Sequence, residues 1–372
     1  MDSISLIKTP IEAELEDFKA LFDTPLSDSN ALLDSVITHI RKRNGKMMRP
    51  ILVLLVARLY GAVTPATLHA AVSLELLHTA SLVHDDVVDE STERRGQLSV
   101  NAIFNNKVSV LAGDYLLATS LVHAEQTNNY EIIRLVSSLG QKLAEGELLQ
   151  LSNVSNHSFS EEVYFDVIRK KTAALFAACA EAAALSVQVG EEEVAFARLL
   201  GEYIGICFQI KDDIFDYFDS KKIGKPTGND MLEGKLTLPA LYALNTTKDA
   251  WAEQIAFKVK EGTATPDEIV RLIEFTKDNG GIEYACRTIE QYKKKAFALL
   301  ATLPDSNICV ALRTYLDYVV DRVWKSPLFG ICRLHALLHS LECLCQGIGS
   351  RKKYKLYLYR PFGNSSYFSG HY

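Results

Sequence analysis

Two short acidic runs could carry chemistry in this chain. The first, LELLHTASLVHDDVVDE, sets Asp85, Asp86 and Asp89 at the end of an otherwise apolar stretch. The second, GICFQIKDDIFDYF, repeats the spacing with Asp212, Asp213 and Asp216, 127 residues further on. Residues four apart share a helical face, so each DDxxD gathers carboxylates on one side of a helix. Like charges so placed repel, and acids at a helix C-terminus oppose the macrodipole. Each cluster therefore costs stability unless a cation sits there. Carboxylates are hard oxygen ligands, which suit Mg²⁺, or Mn²⁺ in its place, rather than zinc. Mg²⁺ held by few carboxylates completes its shell with water and substrate phosphate. Ions between two such helices would clamp a diphosphate.

Cationic residues fall beside the same features. Lys46 and Arg49 in GKMMRP, Arg94 and Arg95, Lys170 and Lys171, Lys225 and Lys235 each sit at a break or helix end. Arg meets phosphate bidentately and Lys as a point charge. Six carboxylates and this many cations exceed what one diphosphate requires. Two phosphate subsites fit better, one bridged by metal and one held directly by Lys and Arg.

The elements that must position these groups read as helices. Apolar residues recur with helical spacing over Ile11–Phe22 and Ala31–Ile40. Leu- and Ala-rich stretches follow at Pro50–Tyr60, Pro65–Glu90 and Val108–Gln126. Further ones lie at Glu161–Gln188, Glu191–Phe218, Thr237–Leu244, Trp251–Lys260, Pro266–Asn279, Ile282–Leu303 and Asp305–Trp324. Hairpin signals are nearly absent, and Lys355–Tyr359 is the best strand candidate. The fold class expected is all-α, a large bundle with a deep core. Two polar loops, Asp89–Gly96 and Asp219–Gly234, directly follow the acidic helix ends.

Of 40 basic and 46 acidic residues, seven basic and one acidic fall in 323–372. That stretch carries +6 and the remaining 322 residues carry −12, so a boundary is expected at 322/323. The apolar fraction of 48% excludes a disordered or collagen-like chain. A net charge of −6 gives nucleic acid no footprint. No basic, apolar leader opens the chain, and its seven Cys contain no CxxC pair, so a cytoplasmic protein with reduced thiols is expected.

These motifs resemble those of the trans-isoprenyl diphosphate synthase family. GKMMRP is similar to its first substrate motif, LLHTASLVHDDVVDESTERRG and FQIKDDIFDYF to its two aspartate-rich regions, and KPTGNDMLEGKLTLP to the loop after the second. The similarity runs from about Ser29 to Arg322. It implies antiparallel helices around a large cavity (the isoprenoid synthase fold), usually in a homodimer, that join an allylic diphosphate to isopentenyl diphosphate. Carried over, all six aspartates would bind Mg²⁺. Lys46, Arg49, His78 and Arg95 would hold isopentenyl diphosphate. Arg94, Lys171, Thr172, Gln209, Lys225 and Lys235 would contact the allylic substrate, with Lys171 counted among the catalytic groups. Loss of diphosphate leaves an allylic cation, which the neighbouring double bond attacks before a proton departs. No protein nucleophile is needed, and apolar walls keep water away.

Product length depends on geometry. A helical turn rises ~5.4 Å, close to one isoprene unit, so bulk just before Asp85 would cap the chain. Ala80 and Ser81 are small there, and Leu77 lies deeper, so a long all-trans polyprenyl product, such as a quinone side chain, is expected. A geranylgeranyl or farnesyl product is the alternative, as is a non-catalytic subunit of a heteromeric synthase. A terpene cyclase would not be expected to keep the second DDxxD, and a di-iron bundle lacks a second partner for Glu75-x-x-His78. The basic, aromatic tail RKKYKLYLYR departs from the family and suggests peripheral contact with anionic membrane.

Overall fold

The computed structural model describes residues 2–23, 30–42, 46–94, 96–154, 159–218 and 228–321. The expected extension at 323–372, Arg95 and Lys225 lie outside the described residues. Helices dominate the rest. α1 (Ser3–Lys8), a 3-10 turn (Thr9–Ile11), α2 (Glu12–Phe22) and α3 (Ala31–Arg41) precede α4 (Met48–Tyr60) and α5 (Pro65–Val88). The two-residue strands β1 (Glu93–Arg94) and β2 (Gln97–Leu98) then pair antiparallel. Next come α6 (Val100–Phe104), α7 (Asn106–Gln126), α8 (Tyr130–Val154) and α9 (Glu161–Ile168). A π-turn (Arg169–Ala173) joins α9 to α10 (Ala174–Ser186). The chain continues through α11 (Glu191–Phe215), α12 (Asn229–Leu232), α13 (Leu238–Thr247), α14 (Ala250–Lys260), α15 (Pro266–Asp278), α16 (Gly281–Leu300) and α17 (Asn307–Val320).

The innermost helices are apolar on every side, as burial on every side demands. Every residue of α4 from Pro50 to Ala57 is buried, and so is most of α10. α5 begins where Thr64 accepts a hydrogen bond from the Thr67 amide (3.2 Å) and Pro65 presets the first turn. Its composition would suit a membrane span, yet 61% of its most apolar window is buried within the fold. Packing against protein neighbours accounts for that apolarity. Over 24 residues α5 runs roughly 36 Å, antiparallel to α7. Ser73 donates to the Ser120 carbonyl (2.8 Å), and His69 meets His123 (Nδ1 to Nδ1, 3.0 Å) at the end farthest from Asp85.

The helices depart from the sequence pattern in two places that matter. α8 occupies a stretch the periodicity leaves unassigned, because Gly140, Gly146 and a polar outer face blur it. The single helix expected over Glu161–Gln188 is two helices joined by the π-turn.

Candidate active site

α5 and α11 carry the acidic clusters, and a cavity of about 170 Å³ opens beside the second one. Lys171 and Thr172 of the π-turn, Gln209 and Asp213 of α11, Asp230 of α12 and Lys235 just beyond it line it. Lys235 lines this cavity with Asp213 and also reaches the first acid run: its Nζ lies 3.5 Å from Asp89 Oδ1 and 2.6 Å from Glu233. Against the effect of burial Glu233 first, then Asp89 and Asp230, hold its ammonium charged. The clusters therefore face each other across one cleft.

Each aspartate has a distinct setting. Asp86 is fully buried, and Arg94 Nε donates to it at 2.5 Å. Arg94, expected to meet substrate, so holds a member of the first cluster. Asp85 is half-buried one position back; burial pushes its carboxyl up to about 6, which Glu147 and Asp89 reinforce and Lys171 and Arg94 oppose. Asp213 is buried and accepts from Tyr164 (2.6 Å) and Gln209 (2.7 Å). Burial raises it to about 7 against those two hydrogen bonds, with Asp212 and Asp216 adding repulsion. Asp216 accepts from the Asn229 and Asp230 amides at the start of α12, each at 3.0 Å. Asp212 is half-buried beside them.

The donors available to a metal are carboxylate oxygens. Among the described residues no three His, Cys, Asp or Glu side chains gather closely enough to hold an ion alone. That fits a hard cation taking one or two ligands from each cluster and the rest from water and phosphate. It does not fit a protein-only cage such as a structural zinc site.

The cations among the described residues have these settings. Lys171 is ion-paired with Glu147 and donates to Gln150 at 3.4 Å. Thr172 donates to Gln209 Oε1 at 2.6 Å, which completes a hydrogen-bonded chain from Thr172 through Gln209 and Asp213 to Tyr164. A second pair of cations lies at the start of α4. Arg49 stacks over Phe176 (5.1 Å) and Phe208 (6.0 Å), and its buried Nε has no hydrogen-bond partner. Lys46 lies over the Tyr318 ring (5.2 Å), and Tyr315 of α17 donates to the Met48 carbonyl (2.9 Å). His78 is half-buried on α5; its carbonyl accepts from Ser81 Oγ at 2.9 Å. Ala80 and Leu77 are buried on the same helix.

Sequence reasoning misses Glu147, Gln150, Tyr164 and Asp230. The GNDMLEG loop is legible, but its spacing singles out only the flanking lysines. Glu147 and Gln150 sit on the helix the periodicity leaves unassigned, and Tyr164 reads as an ordinary aromatic.

The polyprenyl synthetase family model matches residues 30–275. The chain is 35% identical over 282 residues to the octaprenyl diphosphate synthase of Escherichia coli, covering 76% of this chain and 87% of that one. Among solved structures, one described as geranylgeranyl pyrophosphate synthase from Bacteroides thetaiotaomicron is 91% identical, with a TM-score of 0.77, and covers 86% of this chain and 99% of that one. A polyprenyl synthase from Caulobacter crescentus, in complex with calcium and isoprenyl diphosphate, superposes with a TM-score of 0.81 at 32% identity, covering 86% and 98%. Facing acid clusters, the cations around them and these likenesses converge: the chain belongs to the polyprenyl synthetase family of prenyltransferases.

Proposed function

We propose that this prenyltransferase extends an allylic diphosphate with isopentenyl diphosphate in a Mg²⁺-dependent reaction and makes a long all-trans product. Lys235 carries the reading, because one ammonium serves Asp89 and the Asp213–Asp230 side of the cavity together. Bound Mg²⁺ would be held by Asp85 and Asp89 on α5 and by Asp212 and Asp213 on α11, where it would offset charge on the departing diphosphate. Asp86 and Asp216 would serve the same centre, the first through Arg94 and the second through the loop it anchors.

The cations that would meet phosphate pair with acids: Lys171 with Glu147, Lys235 with Asp89 and Glu233, Arg94 with Asp86. A diphosphate exchanges these partners for its own oxygens, a stronger charge-assisted match. Lys171 and Thr172 then hold the allylic diphosphate from the π-turn. At the other subsite Lys46 and Arg49, with Arg95 and His78, hold isopentenyl diphosphate, and the bare Nε of Arg49 supplies a donor ready for it. The aromatic faces around Arg49 exclude water from the reacting carbons.

Small residues at Ala80 and Ser81 and the octaprenyl-forming relative support a long product. The 91% identical structure is described by a geranylgeranyl activity and supports a shorter, twenty-carbon one. Incubation with Mg²⁺, farnesyl diphosphate and labelled isopentenyl diphosphate should give a ladder extending past twenty carbons. Chains ending at twenty would assign the shorter product, and no product would contradict the reading.

A homodimer through α7 completes the proposal. Leu111, Leu121 and Val122 are 68%, 42% and 53% exposed on that helix, apolar surface that a second copy would cover. Leu111→Glu should convert a dimer into monomer by light scattering. A monomeric wild type would contradict the assignment.

A further inference from the structure

The groups that meet the allylic substrate hang from a break in helical register. A π-turn inserts one extra residue, which rotates the preceding helix by about 100° against the next one. Here it turns Lys171 and Thr172 to the cleft while Ala173 and Phe176 stay fully buried in the core. Such turns are rare and occur mostly as single-turn bulges at functional sites, so neighbouring packing must hold this one.

Two glycines do so from opposite sides, and a third packs α11 against the start of α10. On α8, a Cβ at Gly146 would lie 3.0 Å from Lys170 Cβ and 3.0 Å from the Lys171 amide nitrogen. On α11, a Cβ at Gly205 would lie 2.6 Å from Ala173 Cα, and one at Gly201 would lie 2.8 Å from Ala177 Cα. The contrast on α8 is Gly140, where a Cβ would meet nothing within 4 Å. Along α11, Gly201, Gly205, Gln209 and Asp213 fall four apart on one face. The first two let the backbones approach. The second two use that approach: Gln209 reaches Thr172 at 2.6 Å and Asp213 reaches Tyr164 at 2.6 Å.

We propose that Gly146 and Gly205 are positioning residues for prenyl transfer, clamping the π-turn at the height from which Lys171 and Thr172 meet the allylic diphosphate. This rests on the proposed role of Lys171 and Thr172 in holding that substrate. Neither glycine touches substrate. Their contribution is the missing methyl on each flank, without which α8 and α11 would stand away from residues 169–173.

The test uses the full chain with Gly205→Ala, Gly146→Ala and, as control, Gly140→Ala. Two quantities are measured: KM for the allylic and isopentenyl diphosphates separately, and amide hydrogen exchange across 169–173. Gly205→Ala should raise the allylic KM about tenfold or more, since displacements near 1 Å cost up to ~100-fold in positioned reactions. The isopentenyl KM is compared in Gly146→Ala, where it should stay within about twofold because the nearest neighbours of the added methyl are Lys170 and Lys171. A methyl at Gly205 would also lie 3.1 Å from Phe176 Cβ, whose ring carries Arg49. Exchange across the π-turn should quicken. Gly146→Ala, which asks only a few tenths of an ångström, should shift the same quantities less, and it decides the matter if Gly205→Ala does not fold. Gly140→Ala should shift neither. Unchanged exchange and KM in Gly146→Ala, or an equal rise in both KM values of that variant, overturns the proposal. If the wild type makes no product, the functional reading fails while exchange, which needs no turnover, still decides whether the glycines hold the turn.

Discussion

Asp85→Ala is expected to lose turnover by at least about 10³-fold while the protein becomes no less stable. The two effects have one cause. Burial lifts the Asp85 carboxyl to about 6, so its ionised form is held at a cost in the metal-free protein. A carboxylate whose folded value is raised above its ordinary value near 3.8 favours folding most at low pH and loses that advantage as pH rises through 6. At pH 8 the ionised group costs at most about 3 kcal/mol, less what solvent screening of this half-buried carboxyl removes, and alanine removes that cost. The variant should therefore match or exceed the wild type in Tm at pH 8, with a smaller difference at pH 5. Activity moves the other way, because a ligand to the diphosphate-bridging cation is gone. A strong fall in Tm with near-normal turnover would mean that Asp85 is structural.

Ser81→Phe should shorten the product by several isoprene units, and Ala80→Phe should do the same where it folds. Both residues lie on α5 four and five positions before Asp85, a rise of roughly 6–7.5 Å, so a phenyl ring there would meet the second isoprene unit. Ser81 is half-buried and can be enlarged at little cost. Ala80 is 2% exposed, so a ring there overpacks the α5 environment at a cost of about 1–3 kcal/mol. The first condensation should proceed at close to its normal rate in Ser81→Phe, since the diphosphate groups bind elsewhere. An unchanged product ladder in a folded Ser81→Phe would mean that the chain grows along another wall.

The parts of this site legible in the sequence are those with period and charge in register. Asp85 with Asp89, and Asp212 with Asp216, announce themselves because acids at helical spacing on an apolar helix have no structural excuse. Lys46, Arg49 and Lys235 stand out at breaks for the same reason. What stays hidden depends on approach between helices. Gly146 reads as a flaw in a helix until Lys171 is seen packed against it. Gly205 reads likewise until Ala173 is placed 2.6 Å from where a Cβ would be. The π-turn leaves no trace in periodicity, because its one extra residue falls within a run apolar on both sides. Asp216 has a second task that its spacing does not announce: its oxygens also accept from the amides of Asn229 and Asp230.

The most direct measurement is diffraction from crystals grown with Mn²⁺ and inorganic pyrophosphate, recorded at the manganese edge. Anomalous peaks should lie between α5 and α11, within bonding distance of Asp85 or Asp89 on one side and of Asp212 or Asp213 on the other. Lys171 and Lys235 should have left Glu147 and Asp89 for pyrophosphate oxygens. Peaks elsewhere, or pyrophosphate bound with both lysines still on their resting partners, would contradict the account.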